Sequence, residues 1–105
     1  MQLVQITFHF EFWERIEEIL SRQDVPHFIH YPSMHGKDSE GRHYGTQVFP
    51  GSISVVQVRL EDDRVDDLLD ELRRFREERD AHRHLDAIVL PVARTLQAPE
   101  VRRGD

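Results

Sequence analysis

The chain reads as one α+β domain of 105 residues, with two amphipathic helices on one face of a four-stranded antiparallel sheet, in the order β-α-β-β-α-β. Three observations predict this. Segments near residues 1–9 and 53–60 alternate apolar and polar positions with period two, as half-buried strands do. Segments near residues 11–22 and 61–80 place their apolar residues on one stripe at helical spacing. Between the second and third strands lies a polar stretch, Met34 to Gly51, that holds four of the five glycines and ends in Phe49-Pro50-Gly51. A long, turn-rich connection of this kind in a small domain is a common seat of function.

The first strand, Met1 to His9, turns Val4, Ile6 and Phe8, followed by Phe10, to one face and Gln5, Thr7 and His9 to the other. The apolar face is expected to meet the helices. Glu11 to Arg22 follows as a helix with Phe12, Ile16, Ile19 and Leu20 on its stripe and Trp13 at the margin. Glu11 and Glu14 suit its positive end, and Glu11–Arg15 and Glu18–Arg22 have the favourable i,i+4 order. Asp24 and Pro26 close it. His27 to Ser33 reads as a second strand bounded by Pro26 and Pro32, and proline confines it to a sheet edge. After the loop, Ile53 to Leu60 is the strongest strand, with Val56, Val58 and Leu60 on one face and Ile53, Val55, Gln57 and Arg59 on the other.

Glu61 to about Asp80 is the clearest helix, with Val65, Leu68, Leu69, Leu72 and Phe75 in a continuous stripe. Asp62 or Asp63 suits its N-cap, and Arg73, Arg74, Arg76 and Arg79 crowd the end where cations are favoured. A polar linker, Asp80 to Asp86, carries His82 and His84, which read as solvated surface. Ala87 to Val92 is the last strand, and residues 98–105 form a loose tail. This element order is the ferredoxin-like arrangement. It leaves one sheet face without helices, and the apolarity of Ile53 and Val55 there predicts that subunits cover it, as in a trimer.

Composition narrows the function classes. A net charge of −6 with no basic face to offset it argues against nucleic acid as a partner. With no cysteine, disulfide and thiolate chemistry are excluded. No apolar run approaches a membrane span and the N-terminus lacks a leader pattern, so a cytoplasmic protein without membrane insertion is expected. No nucleophile elbow, P-loop, HExxH or dinucleotide fingerprint is present, so an enzyme is not expected.

Short motifs carry a resemblance. The opening MQLVQITF is similar to the first strand of PII-like signalling proteins, relatives of the nitrogen regulatory PII proteins. His43-Tyr44-Gly45-Thr46-Gln47-Val48-Phe49-Pro50-Gly51 resembles the H-x-G-T-x-x-[FW]-P-G signature of a small PII-like subgroup. Ile88-Val89-Leu90-Pro91-Val92 resembles the F-V-L-P-V last strand. The resemblance covers about residues 1–97 and implies a homotrimer whose inter-subunit clefts bind adenine nucleotides. It also implies that residues 34–51 are an effector loop reporting occupancy to a protein target. Gly36, Lys37, Gly41, His43, Gly45, Thr46 and Phe49 are its candidate ligand residues. Where PII proteins carry a glycine-rich turn, this chain reads Glu77 to His84, and Arg79 and Arg83 are the candidates there for a phosphate.

Seven histidines also raise metal binding, because neutral imidazole is a common ligand of divalent transition metals. His35 and His43 bracket the loop tip, where a hairpin would bring them together, with Asp38 and Glu40 between them. His9 and His30 are further candidates for one cluster on the uncovered sheet face. The leading expectation is a PII-like regulator sensing a nucleotide, a divalent metal or both. The alternative is a metal-binding trimer of the CutA type.

Overall fold

A computed structural model describes residues 1–34, 36–38, 41–43 and 52–96. It contains β1 (Gln2–His9), a 3₁₀ turn (Phe10–Phe12), α1 (Trp13–Arg22), β2 (Phe28–Met34), β3 (Gly36–Asp38) and β4 (Gly41–His43). These are followed by β5 (Ile53–Leu60), α2 (Asp62–Glu78), a second 3₁₀ turn (Asp80–His82) and β6 (Asp86–Pro91). The main sheet has the strand order β2-β5-β1-β6 and is antiparallel throughout. That is the predicted α+β architecture, with β2 on an edge and Pro32 in the stretch where its pairing with β5 is irregular.

Period-two patterning decides which side of each strand is buried. Val4, Ile6 and Phe8 of β1 and Val56, Val58 and Leu60 of β5 lie against Ile16, Ile19 and Leu20 of α1 and Val65, Leu68, Leu72 and Phe75 of α2. All of these are buried. The register sets Val4 opposite Val58 and Ile6 opposite Val56, so the two central strands present one continuous apolar surface to the helices.

α1 stops by a defined mechanism. Asp24 adopts φ 50°, a left-handed conformation that aspartate tolerates better than most residues. Val25 N–H then donates to Leu20 O at 3.1 Å and Asp24 N–H to Ser21 O at 3.1 Å, the paired bonds of a Schellman ending. Arg64 of α2 donates to the carbonyls of Gln23 and Asp24, so the end of one helix is tied to the start of the other.

Three local expectations are corrected. Glu61, not Asp62 or Asp63, is the N-cap of α2, without a side-chain cap bond, and Asp62 instead meets the N-terminal ammonium at 2.8 Å. The i,i+4 pairs of α1 give way to cross-helix pairs: Arg15 to Glu78 and Arg22 to Glu71. Helix packing brings these carboxylates closer to the guanidinium groups than the local ones. Finally, the segment between β2 and β5 is not all loop, since Gly36, Lys37 and Asp38 pair with His43, Arg42 and Gly41 as a short antiparallel ribbon.

The face away from the helices is open. Ile29 and Tyr31 of β2, Val55 of β5, Leu3 of β1, and Ile88 and Leu90 of β6 lie on it. Ile29 is 55% exposed, Ile88 48% and Leu90 49%, whereas Val4, Ile6, Val56 and Val58 on the helix face of the central strands are closed to water. Gln5, Thr7, Gln57 and Arg59 also lie on the open face, with Gln57 Nε2 donating to Gln5 Oε1 at 3.2 Å, so the face is mixed, and its exposed apolar side chains are those an interaction surface would cover.

Candidate functional site

The loop leaves and rejoins the sheet at one end, and two other segments converge there. Met34, the last residue of β2, pairs with Ile53, the first of β5, and Ile53 in turn pairs with His9 at the end of β1. Phe10 N–H donates to Ser52 O at 3.0 Å. Two serines of the β5 side fasten the irregular stretch of β2 between Tyr31 and Met34. Ser54 Oγ donates to Pro32 O at 2.7 Å, and the hydroxyls of Ser33 and Ser52 are 3.1 Å apart. Ser52 and Ser54 are buried, so these bonds satisfy groups that water does not reach.

The linker after α2 comes to the same end. His84 stacks on His9 with ring centroids 4.7 Å apart, and Phe12 packs edge-on to His82 at 4.6 Å. His82 is buried and stacks on Phe75 at 4.0 Å. Its Nδ1–H donates to the Phe75 carbonyl at 2.7 Å, one of the last four of α2, which have no partner within the helix. The reading of His82 as solvated surface is therefore wrong. With no glycine to end α2, the chain swings through extended Arg79 into a 3₁₀ turn and uses His82 as a helix cap from outside.

The candidate phosphate residues ride on this capped turn. Arg79 and Arg83 are both exposed. The Nη1 of Arg83 donates to the carbonyl and the carboxylate of Asp80, both at 3.1 Å, which holds its side chain along the turn. Of the candidate loop residues, Gly36, Lys37, Gly41 and His43 fall on the β3–β4 ribbon, with Gly36 opposite His43. His35, Gly45, Thr46 and Phe49 lie outside the described residues, as does Glu40. Among the described residues, no group of three or more His, Asp or Glu side chains is placed to hold a metal ion.

His30 does not share the open face with His9. It pairs with Val56, a helix-face position, and its ring lies flat on Trp13 with centroids 3.7 Å apart. Phe8 stacks below it at 6.4 Å. Counting with period two along this short strand gives His30 the wrong side. Its Nε2 is buried with no hydrogen-bond partner. Burial lowers its pKa, opposed by the charge of Glu17 on α1. A histidine harder to protonate folded than unfolded makes the unfolded state the better proton binder. Stability is then fully present above the ordinary value of about 6.5 and falls as pH drops through that value toward the lowered one. His30→Phe is expected to flatten this part of the curve of stability against pH. Denaturant titrations between pH 5 and 8, read by the fluorescence of Trp13, the only tryptophan, check it; an equal slope in the variant would assign the dependence to another group.

No helix among the described residues is long and apolar enough to cross a membrane. The sequence matches no family model, and no curated protein matches it. Solved structures do match the fold. CPII, a nitrogen regulatory PII-like protein from Thiomonas intermedia K12 bound to ADP, AMP and bicarbonate, superposes with a TM-score of 0.70 at 20% identity, over 84% of this chain and 81% of that one. A DUF3240 family protein from Shewanella baltica OS155 gives 0.72 at 12% identity, over 93% and 96%. A candidate PII-like signalling protein from Thermus thermophilus gives 0.60 at 17% identity, over 84% and 81%. The resemblance to PII-like proteins holds at the level of the fold.

Proposed function

We propose that this chain is a PII-like regulatory protein. It assembles as a homotrimer through its open sheet face, takes an adenine nucleotide in the clefts between subunits, and signals occupancy through residues 34–51. One observation carries the reading: the two roots of the loop, the end of β1 and the capped Arg79–Arg83 turn meet at one end of the sheet. A ligand held by the turn there is positioned to act on the loop. The ADP and AMP in CPII support the choice of ligand.

The chemistry differs from a backbone cradle. Successive glycine amides would ordinarily surround a phosphate. Here the turn has no glycine, and its anion-binding capacity lies in the guanidinium groups of Arg79 and Arg83. Arginine suits this because its planar fork matches two phosphate oxygens at once. Glu77, Glu78 and Asp80 oppose a heavily charged ligand, which favours a mono- or diphosphate over a triphosphate.

The test is calorimetry with ADP and AMP on the full chain, alongside zinc and nickel. The expected result is saturable nucleotide binding, weakened roughly tenfold or more by Arg83→Ala, in line with the loss of a charge-assisted pair. Hydrogen exchange across residues 36–46 is expected to slow when the nucleotide is bound. Binding of zinc or nickel with no response to either nucleotide would overturn the reading in favour of a metal-binding trimer.

A further inference from the structure

On the outer side of the molecule, the seam between the helices opens as a groove of about 360 Å³. Arg15, Ile19 and Arg22 line it from α1, and Glu71, Arg74, Phe75 and Glu78 from α2. Its carboxylates are already engaged. Glu71, 8% exposed, accepts from Arg22 Nε at 2.8 Å, from Arg22 Nη2, and from Gln23 Nε2 at 2.7 Å. Burial alone would push the Glu71 carboxyl up, but these bonds and the charges of Arg22 and Arg74 outweigh it and hold it below the usual carboxylate range. Glu78 takes both its bonds from Arg15 Nη2, at 2.8 and 3.1 Å, and Arg15 is steadied over the Phe75 ring at 5.1 Å.

The guanidinium groups are not used up. Arg74 makes no hydrogen bond or ion pair with any described residue, although it stands on α2 between Glu71 and Glu78. Its neighbour Arg73, by contrast, is paired with Asp70 at 2.8 Å. The Nη1 groups of Arg15 and Arg22 also donate to no described residue, and each guanidinium has five N–H donors to place. Three cations and two carboxylates line the groove, and Glu18 beside it meets Arg15 Nε at 3.7 Å, so Arg74 is the cation of the groove without a pairing of its own among the described residues. A cation finds no free carboxylate in it, whereas an anion finds one whole guanidinium and two spare donor groups.

We propose that this groove binds a small oxyanion, a carboxylate or phosphate group, paired to Arg74 and flanked by the free Nη1 donors of Arg15 and Arg22. The ligand must be small. Glu14, Glu17 and Glu18 on α1 and Asp66, Asp67 and Asp70 on α2 stud the surrounding helix surfaces and repel extended anionic partners. The site is built wholly from helix side chains, so it stands whether or not the sheet end binds nucleotide.

The experiment is an NMR titration of the full chain at constant ionic strength, with inorganic phosphate and, separately, acetate, following the arginine Nε–H signals. The expected result is a saturable shift at Arg74 with at least one anion. A response to phosphate alone identifies phosphate groups as the ligand class, and one to acetate alone identifies carboxylates. Arg74→Gln is expected to weaken binding by roughly tenfold, while Arg73→Gln, which removes the same charge one residue away, leaves it nearly unchanged. Both substitutions are on exposed positions and leave the core intact. Equal weakening by the two variants, or shifts that never saturate with either anion, would overturn the proposal.

Discussion

Val55→Asp is expected to reduce the proposed trimer to protomers of 12.5 kDa. Val55 lies on the open face of β5, opposite Thr7 of β1 and Tyr31 of β2, on the same surface as Leu3, Ile29, Ile88 and Leu90. In a lone protomer the position is only half-buried, so water reaches a carboxylate there and the fold tolerates it. In a trimer closed over this face, three unpaired carboxylates would be taken out of water together. Each would cost about 3 kcal/mol or more, which outweighs what one valine contributes to the contact. Light scattering at micromolar concentration measures the mass, and circular dichroism checks that the protomer stays folded. A wild-type protein that already scatters as a monomer would remove this face as an interface, and a variant with unchanged trimer mass would move the interface elsewhere.

The second large effect is on stability. Phe75→Ala is expected to cost about 3–5 kcal/mol, the range for truncating a buried aromatic side chain. Phe75 is 2% exposed and sits where three parts of the chain meet. It packs edge-on to Phe12 at 5.9 Å, stacks on His82 at 4.0 Å, and lies beneath the Arg15 guanidinium. Domains of this size are stable by only about 5–15 kcal/mol, so the midpoint of thermal unfolding should fall by more than about 10 °C. The same substitution removes the ring that holds His82, and so loosens the turn carrying Arg79 and Arg83. Nucleotide affinity should fall with it, even at temperatures where the variant is folded. Leu69→Ala, on the same helix but only half-buried, is the control; a loss no larger than that of the control would show that the Phe12–Phe75–His82 cluster does not hold this end together.

Much of the architecture was legible because it rests on local periodicity. Val4, Ile6 and Phe8 alternate because a strand turns successive side chains to opposite faces, and Ile16, Ile19 and Leu20 share a stripe because a helix turns every 3.6 residues. No knowledge of the partner surface is needed to see either. Pro32 confined β2 to an edge for an equally local reason, the missing donor. The loop was legible in outline from its glycines, but the β3–β4 ribbon was not. A three-residue pairing in a polar stretch has no apolar face to announce it.

The histidines show where sequence reasoning ran out. His82 sits among charged residues in a short linker, and nothing local distinguishes it from His84. What buries it is the C-terminal end of α2, whose unpaired carbonyl offers a partner that exists only once the helix has formed. The signal that was available was the absence of a glycine after Glu78, which leaves the helix end in need of some other cap. His30 was misplaced for a related reason. A short, proline-flanked edge strand has too few apolar residues to fix its phase, and Trp13 of α1, packed on the helix face, fixes it instead.

By itself, then, the sequence determined the element order, the inward faces of β1 and β5, the edge position of β2 and the open sheet face. Each follows from repeating geometry or from the chemistry of a single residue. Only the tertiary structure decided which charges pair and which ring stacks on which. Arg15 and Arg22 had acids within reach on their own helix, yet they bond Glu78 and Glu71 across the seam. Packing the two helices set these side chains a few ångströms apart, and electrostatic and hydrogen-bond energies depend on that distance rather than on separation along the chain.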